Sequence, residues 1–528
     1  MKKWTVIIIL AVAQFVMILD STVMNVSIST VAKDLGTTIS GMQAAITIYA
    51  LTMAALMLTG GKLGDIWGRH KAFRIGLVIY GIGSLITALS PTLEVLLVGW
   101  SVIEGLGAVL VIPAIAALAA VNYKDKDRVV AFSVLGAVTG LAAAVGPIIG
   151  GFVTTYLSWR YVFAAETVIM VIVLLVASRI SDQAVTKKPK LDVPSVFLSA
   201  IGMGLLVFGV LQSKTWGLVQ PKSAPVINGK VFAPFGISIV AYLILLGVIT
   251  LIIFMSRQKR LEAQKRDALL KASLLSKKVL RSGLTVLMSQ YFVIAALFFI
   301  IPVYLQIILG YDALKTGIKL LPLSIGLVIF SAIGSKMTEK HTARRITRYG
   351  QVALVLGTLL ILGSINPQLN SILFWVGMLI VGAGFGLLAS QLGNVNMSAV
   401  GAEDTAEVGG LQGTFQNLGT SFGTALVGSV FMIMLSSGFV SAINNNPNLN
   451  AQAKSSITAS ATSTAVPIVS PSQAQAYVTS HGGSQQTATQ VTNDYANSQI
   501  KALQQATFFI MAMALISLVL SRNLPNEK

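Results

Sequence analysis

Cysteine is absent from the 528 residues, and histidine occurs only at His70, His341 and His481. Disulfides, thiolate metal sites and cysteine nucleophiles are excluded, and three histidines this far apart do not suggest a metal centre. No metal and no cofactor is expected. Charge is scarce as well: Asp, Glu, Lys and Arg are 11% of the chain, against about 25% in an ordinary soluble domain. A soluble protein of this length needs a charged skin around several cores, and this sequence cannot supply one. A soluble enzyme is therefore excluded. Hydrocarbon replaces the missing charge. Apolar residues make up 54% of the chain beside 47 glycines, and the mean hydropathy is +0.78. Acids are the rarer charged type, 19 against 38 Lys and Arg, for a formal charge of +19.

A helix needs ~20 mostly apolar residues to cross ~30 Å of hydrocarbon. Such runs lie near 4–26, 41–61, 73–90, 93–121, 129–154, 161–180, 193–213, 235–256, 282–309, 313–335, 350–365, 371–399, 408–436 and 503–521. The fold class expected is an all-α polytopic membrane protein of fourteen spans, with both termini on one side. The first run begins after Lys2 and Lys3, as a signal peptide would, but it carries Asp20 and reaches Val26 with no small-residue cleavage site. It is read as a retained span. With the N-terminus inside, the inner segments hold 29 of the 38 Lys and Arg, the asymmetry that the positive-inside rule requires. The positive charge then faces the anionic inner leaflet of the lipid bilayer, and no nucleic-acid partner is implied. The cytoplasmic membrane is the expected location, with both termini cytoplasmic.

Two segments stand apart. Residues 257–281 carry nine Lys and Arg, with Leu261, Leu269, Leu270, Leu274, Leu275 and Val279 at near-helical spacing. They read either as an amphipathic helix on the inner membrane surface or as a plain basic linker. Residues 437–501, rich in Ser, Thr, Ala, Asn and Gln, read as a polar, partly flexible extracellular loop with some helix near 484–505. The expected organisation is a six-helix bundle over 1–181, two inserted helices over 182–256, the basic linker 257–281, and a second six-helix bundle over 282–528 that includes the 437–501 loop.

Between the second and third runs stands Gly61-Lys-Leu-Gly64-Asp65-Ile-Trp-Gly68-Arg69-His-Lys71. Its glycines permit a tight turn, and Asp65 and Arg69 are one helical turn apart. This loop resembles the signature of the major facilitator superfamily, in which the acid and the basic residues bridge the ends of two bundles and hold one conformation. An eroded copy lies 273 residues later, from Gly334 to His341 with Arg344 and Arg345, and has Thr338 in place of Asp65. Internal repeats of this kind build many secondary transporters. The fifth run carries Gly136, Gly140, Gly146-Pro147 and Gly150-Gly151, similar to the motif that marks antiporters within the superfamily. The first run adds Leu19-Asp20 and Asn25, and the ninth adds Pro302, Tyr304 and Gln306. Together these resemble the fourteen-span drug:proton antiporters of the QacA/EmrB type. Two departures stand out. The family's fourth-span Arg and Gln are here Ser101 and Glu104, and its Asn and Pro after Trp159-Arg160 are Glu166 and Val168.

Asp20, Glu104 and Glu166 are the acids that fall clearly within spans. An ionised side chain there costs ~2.5–3.5 kcal/mol even on the lenient insertion scale, so such residues normally face a cavity and serve protons, ions or substrates. Each also has a structural reading as a hydrogen-bonded acid, and Glu166 as a partner of Arg160. Asn25, Tyr49, Tyr304, Gln306, Gln391, Asn394 and Gln416 are candidate cavity-lining residues, with Tyr291, Trp375, Phe385 and Phe415 as aromatic candidates. The resemblance implies a monomeric exporter that exchanges protons for a small-molecule substrate, lipophilic and cationic because the cavity has spare negative charge. Export of a lipid or endogenous metabolite is the alternative of the same class. A non-transporting scaffold or sensor is the alternative of another class.

Overall fold

A computed structural model describes residues 4–123, 125–177, 190–221, 226–227, 230–231, 233–400, 405–447, 449, 451–463, 466–480 and 484–524. The first half comprises α1 (Thr5–Val26), α2 (Ile39–Trp67), α3 (Arg69–Ala88), α4 (Leu93–Asn122), α5 (Asp125–Tyr156) and α6 (Arg160–Ala177). Then come α7 (Val193–Trp216) and α8 (Ile239–Ala263), joined by a connection that holds a two-residue ribbon, β1 (Val226–Ile227) antiparallel to β2 (Lys230–Val231). The second half begins with α9 (Lys278–Val303), α10 (Ala313–Met337), α11 (Ala343–Ser364), α12 (Ser371–Ser398) and α13 (Thr405–Asn445). The short α14 (Ala451–Ser463) and α15 (Pro471–Ser480) precede the last span, α16 (Gln485–Leu520). Thirteen of these helices are long and apolar enough to cross a membrane, and the bent α5 makes a fourteenth. The chain is an all-α polytopic membrane protein of two six-helix bundles with two inserted helices. Because the spans alternate, the side holding the start of α1 is called the near face and the other the far face.

Lipid gives little hydrophobic drive for helix association, so close packing between small residues does the work. A methyl group at Gly83 would lie 2.5 Å from the Glu104 backbone nitrogen, which shows how tightly α3 meets α4. In the second half, a methyl at Gly382 of α12 would lie 2.0 Å from the Leu323 carbonyl of α10. The inserted pair packs through Gly202 and Gly247 and leans on both halves at once. Ser199 of α7 donates to the Ala55 carbonyl of α2 at 2.9 Å, and Met203 packs near Ala54, Ala55 and Leu418. At its near end, Asp192 caps α7 and accepts a forked pair of 2.7 Å bonds from Arg257 of α8. The Arg257 bonds, with smaller help from Ser195, outweigh desolvation and hold the Asp192 carboxyl down to about 2.

Two segments differ from expectation. Residues 257–281 do not form one surface helix: α8 continues to Ala263, a turn with Lys265 at φ 54° follows, and a short helix spans Ala272–Ser276. The reason is Gln258, which is fully buried and whose Oε1 accepts from the backbone N–H groups of Leu269 and Leu270 at 2.9 and 3.2 Å. Leu261, Leu269, Leu270 and Leu274 are consequently buried in protein. The stretch 437–501 is largely helical rather than a loose loop. The far ends of α13 and α16 pair with α14 and α15 in a headpiece around Ile443, Leu449, Val466, Ile468, Val491 and Tyr495. Tyr495 donates to the Pro467 carbonyl at 2.6 Å and accepts from the Val469 N–H at 3.0 Å. The expected boundary at 181/182 lies outside the described residues.

Candidate functional site

Asp20 of α1, Glu104 of α4 and Glu166 of α6 converge in the first half. One carboxylate oxygen from each lies within 4.8 Å of the others, and all three side chains are buried. The residues that hold them are legible locally. Leu97–Glu104 is a stretch of π-helix inside α4, and this wide turn brings Trp100 and Glu104 inward together. The Trp100 indole N–H donates to both Asp20 oxygens at 2.9 and 3.1 Å, and its ring stacks on Tyr49 at 4.7 Å and 3°. Ser84 donates to Glu104 Oε2 at 3.0 Å. Glu104 Oε1 and both Glu166 oxygens have no hydrogen-bond partner among the described residues. Ser101, in the place of the family's Arg, is fully buried and donates to the Ala45 carbonyl at 2.8 Å. No basic side chain among the described residues reaches the trio.

Glu166 does not pair with Arg160. That guanidinium is taken by Asp34, beside the Trp159 indole N–H on the same carboxylate at 2.9 Å, and by the Ser90 carbonyl at 2.8 Å. Desolvation pushes the Asp34 carboxyl up, but the bonds from Arg160 and Trp159 and the Arg160 charge together hold it below its ordinary value. Arg160 is thereby fixed at the far end of α6, leaving Glu166 free to join the other acids. Sequence reasoning missed Trp100, Tyr80 and Ser84, whose only signal was a polar atom within an apolar run.

The two halves are sewn together on the far side. Proline at 147 removes the N–H that would bond the Ala143 carbonyl, and α5 bends by 41° between Ala143 and Val145. The orphaned Ala143 carbonyl accepts instead from Ser324 of α10 at 3.3 Å. Further out, methyl groups at Gly317 and Gly151 would lie 2.3 Å from the Pro147 carbonyl and 2.6 Å from the Ala313 carbonyl. The Leu314 N–H donates to Thr155 Oγ1 at 3.1 Å. Gly146 and Gly150 lie instead against Thr22 and Val23 of α1, and a methyl group at Gly140 would lie 3.7 Å from the Val328 side chain of α10. Gln306 bonds Ser29 and donates to the Val26 carbonyl at 2.6 Å, so in this conformation it helps close the far side. Gln43, unremarked in the sequence, does the same between α2 and α13 through the Thr424 and Ala425 carbonyls at 2.9 and 3.2 Å.

On the near side the signature loop borders a small cleft of about 90 Å³. Gly61, Gly64, Asp65 and Arg69 form one wall, and Leu269 of the linker with Glu407 and Gly410 of the other half form the opposite one. Gly68, at φ 96°, both ends α2 and begins α3, a left-handed position that suits glycine. Asp65 pairs with Arg69 at 3.8 Å within its own loop. The remaining sequence candidates fall elsewhere. Tyr304 is buried and donates to the Asn366 carbonyl at 2.6 Å, tying down a far-side turn. Gln391 is buried and donates to the Gly334 carbonyl at 3.1 Å. Asn25 donates to the Ser21 carbonyl at 2.7 Å, and the Gln416 carbonyl accepts from Thr420 at 3.1 Å, both half-buried. Phe385 is packed in the core, Trp375 is exposed on the bundle surface, and Tyr291 and Phe415 are half-buried. The Asn394 side chain lies outside the described residues.

The chain matches the Major Facilitator Superfamily over residues 10–424. It is 28% identical over 452 residues to a probable actinorhodin transporter of Streptomyces coelicolor, covering 84% of this chain and 75% of that protein. It is 26% identical over 435 residues to the puromycin resistance protein pur8 of Streptomyces alboniger, covering 81% and 82%. Among solved structures, a bacterial homolog of the human lysosomal transporter Spinster, inward-facing and occupied, is similar in fold with a TM-score of 0.61 at 14% identity, covering 98% of this chain and 97% of that one. A match that runs from α1 into α13, on two bundles of which the first encloses three buried acids, makes this chain a membrane transporter and not an enzyme: it belongs to the Major Facilitator Superfamily.

Proposed function

We propose that the chain is a proton-coupled exporter of lipophilic, cationic small molecules that works by alternating access across the cytoplasmic membrane. The observation that carries this reading is the trio Asp20, Glu104 and Glu166, buried within spans with no basic partner among the described residues. Negative charge left bare there is costly, so the acids must hold either protons or a cation. The two compete, because protonation removes the charge that attracts the cation, and that opposition is what antiport requires. Asp20, an acceptor for the Trp100 N–H, suits attraction of the substrate's charge. Glu104, which keeps an oxygen without a donor, suits the proton. The sewn far side and the near-side cleft support a state open toward the near face. That face is the cytoplasmic one by the distribution of Lys and Arg. The substrates named for the actinorhodin and puromycin relatives favour an exporter of toxic organic compounds over a scaffold.

The test is a pair of assays in proteoliposomes with ethidium, a lipophilic cation. Glu104→Gln is expected to abolish uptake driven by a pH gradient while downhill ethidium exchange continues, and ethidium binding to the parent is expected to weaken as pH falls. A Glu104→Gln protein that still concentrates ethidium, with an unchanged pH profile, removes Glu104 from the coupling. A parent that neither exchanges nor concentrates ethidium overturns the substrate class.

A further inference from the structure

The trio has a coordination geometry that proton exchange alone does not require. We propose that Asp20, Glu104, Glu166 and the Tyr80 hydroxyl form a binding site for a hard metal cation of about calcium's size, which enters in exchange for protons. The inference rests on the reading of the trio as a proton site and adds a second occupant to it.

Spacing is the first ground. Oxygens that ligate Ca²⁺ at about 2.3–2.6 Å can stand no more than roughly 5 Å apart across the ion, whereas Mg²⁺ at about 2.0–2.1 Å needs them within roughly 4.2 Å. The three carboxylate oxygens all lie within 4.8 Å of one another. The second ground is Tyr80. It is fully buried on α3, its hydroxyl is directed at Asp20 and Glu104, and it makes no hydrogen bond of ordinary geometry among the described residues. A buried hydroxyl left in this condition calls for a partner, and a cation between the carboxylates provides one to it and to the bare oxygens of Glu104 and Glu166. Third, the donors are all oxygen, which selects hard ions over zinc or copper.

The surroundings supply no competing positive charge. The groups facing the trio are Tyr49 on α2, Tyr80 and Ser84 on α3, and Trp100 on α4. On α6 the nearest basic residue is Arg160, already held by Asp34. Lys62, Arg69, His70, Lys71 and Arg74 sit at the near ends of α2 and α3. A divalent ion entering the site displaces two carboxyl protons to solution, so the charge inside the membrane does not change.

The test uses the full-length protein in lipid nanodiscs with Ca²⁺ as the probe and Mg²⁺ as the smaller comparison. The expected result is saturable binding of one Ca²⁺ per chain by calorimetry, tighter as pH rises, with protons released into weak buffer and with Mg²⁺ bound more weakly. Glu166→Gln should weaken Ca²⁺ binding by more than about tenfold, the scale on which ligand charge tunes such sites. Tyr80→Phe should weaken it less, and Glu94→Gln, at an exposed acid, should leave it unchanged. Absence of Ca²⁺ binding, or binding equal in the parent and Glu166→Gln, overturns the proposal. Where Glu166→Gln fails to fold, Tyr80→Phe decides: a Ca²⁺ affinity and proton release identical to the parent count against the site. A parent that drives ethidium with a pH gradient yet binds no Ca²⁺ overturns the cation site alone. One that does neither overturns the proton reading with it.

Discussion

Trp100 does two separable jobs. Its ring stacks on Tyr49, and its N–H fixes both oxygens of Asp20. Trp100→Phe keeps most of the stack and deletes the donor. A hydrogen bond to a charged group contributes about 1.5–3 kcal/mol, so the variant should lose about tenfold or more in gradient-driven ethidium transport and show a displaced pH profile. A shift in rate with no shift in profile would make Trp100 a packing residue only. The sequence made the three acids stand out, because acids in apolar runs are rare. It did not show that they meet. They are separated by 84 and 62 residues, and a hydropathy pattern says little about how each helix is turned about its axis. The amides misled for a related reason. Gln306 and Gln391 satisfy themselves on backbone carbonyls of neighbouring helices in this conformation, a use of the amide that avoidance of lipid does not distinguish from lining a cavity.

At the scale of single elements, the π-turn in α4 is the most consequential. A π-bulge behaves as one inserted residue. Deleting Val102, which is exposed on the outer side of the turn, should restore an ordinary α-turn and draw Trp100 and Glu104 out of their present alignment. Proton-driven efflux should fall more than about tenfold while the protein still reaches the membrane, as immunoblots of membrane fractions would check. No sequence pattern announced this turn, since π-geometry has no composition of its own. The cap of α7 gives a pH prediction. Asp192 is held down to about 2 from an ordinary 3.8, so its contribution is complete above pH 3.8 and is lost as pH falls toward 2. Asp192→Asn should cost about 1–2 kcal/mol at neutral pH, from the lost charge of the capped ion pair. The gap in melting temperature between variant and parent in detergent should close below pH 3.8. The headpiece was misread for another physical reason. Ser, Thr and Ala carry little hydropathy signal, yet their small side chains let helices pack closely around a few buried anchors such as Tyr495 and Ile468.

For the whole molecule, the far-side seam between α5 and α10 is the joint that the proposed alternating access would have to break. The chain has no cysteine, so Thr155→Cys with Leu314→Cys places a single pair across it. Cross-linking the pair should stop transport, and reduction should restore it; transport that continues through an intact cross-link would put the moving joint elsewhere. The arrangement of two halves was readable from run lengths and the repeated loop, because both are periodic features of one chain. The seam was not, because it is made of backbone carbonyls and the absence of side chains. The headpiece has a mechanical consequence. Helix α13 has 41 residues and α16 has 36, about 60 and 54 Å of rod at 1.5 Å per residue, against a hydrocarbon slab of ~30 Å. Both rods belong to the same half, so if the two halves rock as proposed, the headpiece is a mast bolted to one side. A tilt of order 15° about the membrane midplane would carry a tip some 45 Å away through roughly 12 Å. The first half has no comparable rods on that face among the described residues, only short connections and the seven-residue helix Ile28–Asp34, so each transport cycle would be written outside the membrane as the swing of a pointer.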